Sequence, residues 1–466
     1  MGSAKHLINC AFLFLVIFFS FITDVRSESY GLKELFQKAE KNAALQKDFN
    51  ALHRLAAARL GEVQALRWLP VLDLKVITGV VPDATIANID SPVSYNSSPN
   101  IKSNDFENGF SLSGLGGFVR VEMNAVQPIY TFGKISNAIQ AAEGGKQLAE
   151  AEEKRKIGEL RLLIKRAYYT LQLSFDSTEI LKDVEKKLAD ANDKVEELLI
   201  KNAENVSEID RLKIRVFSAD VKSRSLDADR AGRLARSAIA ELANISGDWE
   251  LDQKSLAAEK PNGLKKEDII NYSLKSKPEI VQLNRLVEMK QAEARAVKAN
   301  LFPTIFLGGQ LEYAKSPGRT DINNPYLNDP FNLFNVGAVL GLQQDLSMLK
   351  TIKKADSARA EADRVEAQRD QLVIKTKLDA EKSFEEAFSA LQGMQINEEG
   401  FRAARSWLTS TGLSFNLGTS ETKDVLESFA AYFKARVDLI KSVYNLNLSL
   451  AELSQVSGIE VLDRLK

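Results

Sequence analysis

Apolar residues along most of the chain recur at alternating spacings of three and four. Two such runs fall between positions 157 and 198: Ile157, Leu160, Ile164, Ala167 and Leu171, then Leu181, Val184, Leu188, Ala191, Val195 and Leu198. This spacing, with charged residues in between, is typical of a coiled-coil seam. The segment 134–200 contains no proline, and as one helix it would span roughly 100 Å. The pattern therefore predicts unusually long helices.

These helices are predicted to form two hairpins. The first covers about 134–247, and its pattern breaks near Asn205 before resuming at Ile209. The second covers about 350–458 and turns near Gly418, a residue suited to the left-handed conformation that ends a helix. An ordinary helical bundle explains any single hairpin. Two hairpins of this length, each interrupted only at its tip, favour a longer architecture.

Elsewhere apolar and polar residues alternate one by one, and this period of two predicts strands. Four strands are expected, at about 71–81, 117–130, 303–314 and 334–346. In the second, apolar Val119, Val121, Met123 and Ala125 alternate with polar Arg120, Glu122 and Asn124. Such strands suit a transmembrane barrel with lipid outside and water inside, and they suit a half-buried soluble sheet equally well.

The connections between the strands favour the barrel. The segments near 82–115 and 316–332 are rich in Asn, Ser, Asp, Pro and Gly, as the long external loops of such barrels are. Four strands per chain cannot close a barrel, because the smallest has eight. An oligomer is then required, and strand counting permits a dimer or a trimer. The polar side chains of Arg120, Glu122 and Asn124 are expected to face the barrel lumen.

The chain repeats itself. AELANISG at 240–247 returns as AELSQVSG at 451–458, and RWLPVLDLKV at 67–76 returns as NLFPTIFLGG at 300–309. A repeat of about two hundred residues is a duplicated domain rather than a solenoid. We predict a first repeat at 28–247, a linker at 248–262, a second repeat at 263–458 and a C-terminal tail at 459–466.

Residues 1–27 are interpreted as a signal peptide. Lys5 and His6 precede an apolar run at 11–22, and cleavage is expected after Ser27. A membrane anchor is the alternative, but the run is shorter than the ~20 residues a bilayer requires. The single cysteine, Cys10, lies at the start of this run. Beyond Ser27 no stretch approaches 18 apolar residues.

Composition gives no sign of nucleic-acid binding or catalysis. The 62 basic residues balance the 63 acidic ones, so no basic surface is indicated. After the predicted signal only one histidine, His53, remains, and no cysteine. Gly144-Gly145-Lys146 lacks the spacing of a phosphate-binding loop. We expect no enzymatic activity, no cofactor and no metal site.

The signal, the duplicated units and the string SFNLGTSETKDVLES at 414–428 together resemble the TolC family of outer-membrane efflux and secretion channels. The first copy has NAENVSEIDRL at 202–212, which keeps Ser-x-x-Asp-x-Leu but lacks the glycine. The resemblance implies a mainly α protein whose homotrimer forms one 12-stranded transmembrane β-barrel, continued by an α-helical barrel in the periplasm. It also implies an exit duct in the outer membrane that docks a periplasmic adaptor protein and an inner-membrane transporter.

The same resemblance implies particular site residues. Asp424 and Glu427 fall where the family places carboxylates at the pore constriction, and their spacing puts both on one helical face. The residues implied at the periplasmic tip, where an adaptor docks, are Asn205, Ser207, Asp210, Phe415, Gly418, Thr419 and Lys423.

The tip departs from the family in two places. Ser420 and Phe415 stand where the family's best-known closed state has an Arg and a Tyr, so a different closure is expected, for which Lys423 with Asp210 is one candidate pair.

The alternative function is a soluble periplasmic coiled-coil adaptor or spacer. It explains the helices and the signal but not the two matched strand pairs.

Overall fold

The structure is a computed structural model, and it describes residues 28–86, 110–201, 206–261, 263, 265–319, 329–417 and 419–461. Some predictions lie outside these residues in whole or in part. They concern the signal peptide at 1–27, much of the polar connections near 82–115 and 316–332, the tip residues Asn205 and Gly418, and the end of the tail at 462–466.

One order of elements, two helices, two strands and two long helices, occurs twice along the chain. The first copy comprises α1 (Leu32–Glu40), α2 (Ala43–Trp68), β2 (Val71–Ile86), β3 (Phe110–Tyr130), α3 (Lys134–Ile200) and α4 (Glu208–Ala243). The second comprises α5 (Lys266–Ser276), α6 (Pro278–Lys298), β5 (Thr304–Lys315), β6 (Leu333–Gln343), α7 (Met348–Asn416) and α8 (Thr422–Ser457). The predicted fold class, mainly α with duplicated strand pairs and long helical hairpins, is confirmed.

Two strands of three residues flank the first copy. β1 (Glu28–Tyr30) precedes it and β4 (Trp249–Leu251) follows it, within the segment treated above as a linker. They pair in parallel, with Glu28 opposite Trp249 and Tyr30 opposite Leu251. The beginning of the described chain is thereby tied to the end of the first copy.

The helices α3 and α7 contain 67 and 69 residues. Ion pairs one turn apart support α3 along its exposed side, such as Arg155 with Glu159 at 2.6 Å and Lys187 with Asp183 at 2.8 Å. Each pair of this kind stabilises a helix by roughly 0.2–0.5 kcal/mol. None of the described helices is both long and apolar enough to cross a lipid bilayer.

The chain divides into two compact units, each treated by itself below. The strand unit contains residues 50–152 and 281–371, and the hairpin unit contains the remaining described residues.

The strand unit contains one four-stranded antiparallel sheet in the order β2-β3-β5-β6. Its central pair, β3 with β5, joins the first copy to the second. The register places Lys75 opposite Glu122, Glu122 opposite Glu312 and Glu312 opposite Asn335. Because paired residues in antiparallel strands point to the same face, such rows run straight across all four strands.

The hairpin unit has three clusters of buried apolar residues. In the first, Tyr168 and Tyr169 of α3 pack with Ile239 of α4 and with Trp249 and Leu251 of β4. The second joins α3, α4 and α8 near their tip ends and includes Leu188, Ile214 and Phe433. The third joins α5, α7 and α8 and includes Ile269, Leu446 and Leu450. The alternating spacing of three and four thus places apolar residues in shared helical seams.

Candidate functional site

One face of the sheet carries a network of charges across its middle, with apolar residues such as Val126 and Val339 nearer one end. The predicted lumen residues Arg120, Glu122 and Asn124 lie together on this face, because side chains two positions apart along β3 point the same way. Arg120 donates a hydrogen bond to Glu312 on β5, and its Nε lies 2.8 Å from a carboxylate oxygen of Glu122. Cross-strand register adds further polar neighbours on the same face: Asp73, Lys75, Gln310 and Asn335.

The opposite face of the sheet is apolar and exposed. Register places these side chains in rows across it: Leu72, Leu74, Val76, Val121, Met123, Leu307, Leu311, Tyr313, Phe334, Val336, Leu340 and Leu342. Leu74 is 65% exposed and Phe334 is 69% exposed. A continuous apolar surface of this kind marks contact with lipid or with another protein.

At the tip of the first hairpin, Asp210 caps the helix α4. Its carboxylate accepts hydrogen bonds from the backbone N–H of Ser207 at 3.1 Å and from the Ser207 hydroxyl at 2.8 Å. Ser207 is the N-cap residue, so the two residues form a capping box that satisfies backbone donors at the helix start. Lys213, one turn further on, lies 3.5 Å from the same carboxylate.

At the tip of the second hairpin, Asp424 holds the same position relative to α8. Its carboxylate accepts hydrogen bonds from the Ser420 hydroxyl at 2.9 Å and from the backbone N–H of Glu421, the N-cap residue, at 3.3 Å. The duplicated hairpins therefore begin their returning helices with equivalent aspartates. Sequence reasoning did not identify this role, although the spacing Ser207-x-x-Asp210 is a signal for it.

The remaining tip residues have local partners. The Thr419 hydroxyl donates to the carbonyl of Ser414 at 3.0 Å, and Phe415 is half-buried in the last turn of α7. Lys423 lies 4.0 Å from the carboxylate of Glu427, one turn along α8. Lys423 and Asp210, considered above as partners for each other, thus each have an ion-pair neighbour on their own helix. Asp424 and Glu427 are both exposed on the single chain.

Close to the tips, an aromatic cluster connects the two hairpins. The ring of Phe217 on α4 meets the rings of Phe429 and Phe433 on α8 edge to face, at centroid distances of 6.1 and 5.6 Å. Asp183 on α3 adds an ion pair with Arg436 on α8 at 3.3 Å. A hydrogen bond from Lys187 and the nearby Arg436 hold the pKa of Asp183 below its usual range. The two tips are therefore bound to each other within one chain.

Two helices of the hairpin unit also carry exposed apolar stripes. On α4 the stripe comprises Ile209, Leu212, Val216, Leu226 and Leu234. On α7 it comprises Ile374, Leu378, Phe388, Ile396, Trp407 and Leu413. Stripes close to heptad spacing are built to pack against another helix. Among the described residues no cluster of His, Cys, Asp and Glu is arranged to hold a metal ion.

Comparison with known proteins shows which proteins this chain is similar to. The sequence profile of the family described as outer membrane efflux protein matches residues 269–459. The match covers most of the second copy, from α5 to the end of α8. The resemblance to the TolC family inferred from the repeats and the tip string is therefore confirmed, and it supports a location in the outer membrane. The family consists of transport conduits, which agrees with the prediction that the chain is not an enzyme.

Solved structures with this fold cover nearly the whole chain. CusC has a TM-score of 0.72 at 15% identity, covering 93% of each chain. VceC of Vibrio cholerae has a TM-score of 0.69 at 15% identity, covering 92% of this chain and 96% of its own. The open state of MtrE of Neisseria gonorrhoeae has a TM-score of 0.71 at 14% identity, covering 93% and 90%. At these identities the likeness establishes the fold. No curated protein sequence matches the chain.

Proposed function

We propose that three copies of this chain form the outer-membrane exit duct of an efflux or type I secretion system. The three sheets join into one 12-stranded barrel, and the helical hairpins continue it into the periplasm. At the tips, the duct receives a periplasmic adaptor protein and an inner-membrane transporter. The transporter selects the cargo, and this chain supplies the passage.

The sheet with one polar and one apolar exposed face carries this proposal. Facing lipid, the apolar rows lose contact with water, and each buried leucine contributes roughly 1.5–3 kcal/mol. The charges of Arg120, Glu122 and Glu312 then lie on the side that faces water. The exposed stripes on α4 and α7 supply helix-packing surfaces between neighbouring copies.

A pair of arginine substitutions tests the membrane surface. Leu74 lies on the apolar face, opposite Met123, and Asn124 lies on the polar face of the adjacent strand. An arginine on the lipid face near the bilayer centre costs about 2–4 kcal/mol. We expect Leu74→Arg to lower the amount of trimer recovered from outer membranes, while Asn124→Arg leaves it near the wild-type level. Recovery of the wild-type protein in the periplasmic supernatant without detergent would instead support a soluble spacer.

We further propose that Asp424 and Glu427 line the narrowest part of the passage in two rings of three. Like charges this close attract cations and select for them, as acidic rings do in other channels. Planar-bilayer recordings should show cation-selective channels for the wild type. The double variant Asp424→Ala, Glu427→Ala should conduct more and lose selectivity, whereas the control Glu267→Ala, on the short helix α5, should not. Unchanged selectivity in the double variant would remove both residues from the passage.

The docking role of the tip stays a proposal as well. It assigns adaptor contacts to Asn205, Ser207, Asp210, Phe415, Gly418, Thr419 and Lys423. Site-specific photocrosslinking from positions 207 and 423 in cells should capture the adaptor, whereas a probe at position 267 should not.

A further inference from the structure

The four points at which a helix connects to a strand all lie at the same end of the sheet. Val71 at the start of β2 pairs with Val126 near the end of β3, and Ile305 near the start of β5 pairs with Tyr130. Thr304 pairs with Gln343, the last residue of β6. We call the seven residues beyond each of these strand ends the collar: 64–70, 131–137, 297–303 and 344–350.

Exposed aromatic rings gather at the collar. Trp68 is 74% exposed, and the rings of Tyr130, Phe132 and Phe302 are 40–56% exposed. Phe132 meets Tyr130 edge to face at 4.7 Å and stacks on Phe302 at 5.5 Å. Its backbone φ is +49°, a conformation that a bulky residue adopts only when its surroundings impose it. The fold thus holds an aromatic cluster at the surface, beside Tyr130 at the edge of the apolar face.

Positive charge accompanies these rings. Each of the four collar segments contains one basic residue, all of them exposed: Arg67, Lys134, Lys298 and Lys350. The only acidic residue in the collar is Asp345, so the collar has a net charge of +3 in a chain whose total is −1. Lys350 interacts electrostatically with Asp345, and the Arg67 guanidinium lies 5.1 Å from the Trp68 ring centre. One turn further along α7, Lys353 pairs with Asp356 at 3.1 Å, and Lys354 adds one more positive charge.

We propose that the collar binds the headgroups of anionic phospholipids in the leaflet that faces the helices. This inference rests on the proposed membrane orientation of the sheet. Aromatic rings favour the boundary between hydrocarbon and headgroups, and basic side chains next to it pair with lipid phosphates. In a trimer, three collars would form a continuous ring with nine net positive charges.

The test compares two sets of neutralised side chains in the full-length protein. The collar variant carries Arg67→Gln, Lys134→Gln, Lys298→Gln and Lys350→Gln. The control variant neutralises four exposed lysines of the hairpin unit: Lys182→Gln, Lys186→Gln, Lys222→Gln and Lys434→Gln. A third variant keeps the collar charge with Lys134→Arg, Lys298→Arg and Lys350→Arg.

Binding of phosphatidylglycerol and of zwitterionic phosphatidylcholine to each purified trimer is measured by native mass spectrometry. We expect the collar variant to bind phosphatidylglycerol at least about tenfold more weakly, with phosphatidylcholine binding unchanged. The control variant and the arginine variant should match the wild type. Inorganic phosphate alone should not displace the bound lipid.

Two results overturn the inference. One is wild-type phosphatidylglycerol binding by the collar variant, and the other is displacement of the lipid by inorganic phosphate, which would indicate a site for phosphate rather than for a membrane. Channel recordings on the same preparations keep this question separate from the proposed function. If the wild type forms trimeric channels without a collar-dependent lipid preference, only the collar inference fails. If it forms none, the proposed duct fails first.

Discussion

Lys165, on α3, places its ammonium 2.8 Å from a carboxylate oxygen of Glu460, three residues beyond the end of α8. The two partners are buried to different extents, because the Lys165 side chain is 4% exposed and that of Glu460 is 24% exposed. The Ser454 hydroxyl also donates to this carboxylate, at 3.1 Å. The pair therefore anchors the end of the second copy to the first long helix.

The unequal burial predicts unequal effects of removing each partner. Glu460→Gln leaves a buried ammonium without its counter-charge, which we expect to lower the free energy of unfolding by about 3 kcal/mol. Lys165→Met leaves a carboxylate that water can reach, so the loss should be nearer 1 kcal/mol. Thermal unfolding in detergent measures both, with the exposed Lys182→Met on the same helix as control. Equal losses for the two variants would contradict this account.

The same ion pair predicts a dependence on pH. Burial lowers the pKa of Lys165 below 10.5 despite the attraction of Glu460. Between the lowered pKa and 10.5 the folded protein binds fewer protons than the unfolded chain, so stability rises with pH in this window. Relative to Lys165→Met, the wild type should gain in unfolding temperature as pH increases from neutral towards 10. A relative loss over this range would mean that the carboxylate outweighs burial.

Gly232 on α4 marks a close approach to α3. A Cβ at this position would lie 2.1 Å from the Oγ of Ser174 and 3.0 Å from its Cβ. We expect Gly232→Ala to lower the free energy of unfolding by about 1–3 kcal/mol, as overpacking does. Adding Ser174→Ala should restore part of this loss, since only the tighter of the two contacts disappears.

Gly393, inside α7, provides the matched control for this prediction. Apart from the adjoining backbone of α7, no atom lies within 4 Å of a Cβ at that position. Gly393→Ala should therefore stabilise the protein by up to about 1 kcal/mol through helix propensity alone. Similar unfolding temperatures for the two alanine variants would rule out the clash at Gly232.

The predictable part of this fold lies in its periodicities. Apolar residues at spacings of three and four predicted the helical hairpins. Alternation of apolar and polar residues along β3 predicted that Arg120, Glu122 and Asn124 share one face. The partner of Arg120 was not predictable, because Glu312 lies 192 residues away and meets it only through the β3–β5 register. Cross-strand contacts between the two copies depend on the assembled sheet, and no local pattern encodes them.

The repeated strings also conceal a difference between the copies. Helix α4 ends at Asn244, which adopts a left-handed conformation with φ of +50°. The matching residue in the second copy, Gln455, stays helical, and α8 continues to its cap at Gly458. Asparagine tolerates this conformation because its short side chain bonds locally, whereas glutamine does not favour it. One residue therefore moves a helix end by three positions.

Arg319, in the connection between β5 and β6, binds both that connection and the backbone of β2. Its guanidinium lies 2.6 Å from a carboxylate oxygen of Asp329 and donates to the carbonyl of Pro82 at 2.7 Å. Both charged side chains are less than 10% exposed. Arg319→Met leaves a buried carboxylate unpaired and should lower stability by about 3–5 kcal/mol.

Hydrogen exchange locates this effect. Amides of 71–81 and 329–343 should exchange faster in Arg319→Met, while those of α8 should not change. Adding Asp329→Leu removes the orphaned charge and should restore part of the protection. If the double variant is less protected than the single one, the ion pair is not the main contact at this connection.

The capping role of Asp424 separates two explanations for its effect on conductance. Asp424→Asn removes the charge but keeps an oxygen that can accept the bonds from Ser420 and Glu421. Asp424→Ala removes both, and losing the cap should destabilise α8 by about 1 kcal/mol. If Asp424 acts as a pore charge, both variants should lose cation selectivity to the same extent, and only the alanine variant should unfold at a lower temperature.

The equivalent aspartate of the first copy completes this experiment. Asp210→Asn and Asp210→Ala change the same capping position on α4, where the carboxylate is buried rather than exposed. We expect Asp210→Ala to lower the unfolding temperature, and neither variant to alter selectivity as Asp424→Asn does. If selectivity falls only in the two alanine variants, the aspartates act by holding the tips in place. The charge of Asp424 would then have no direct part in conduction.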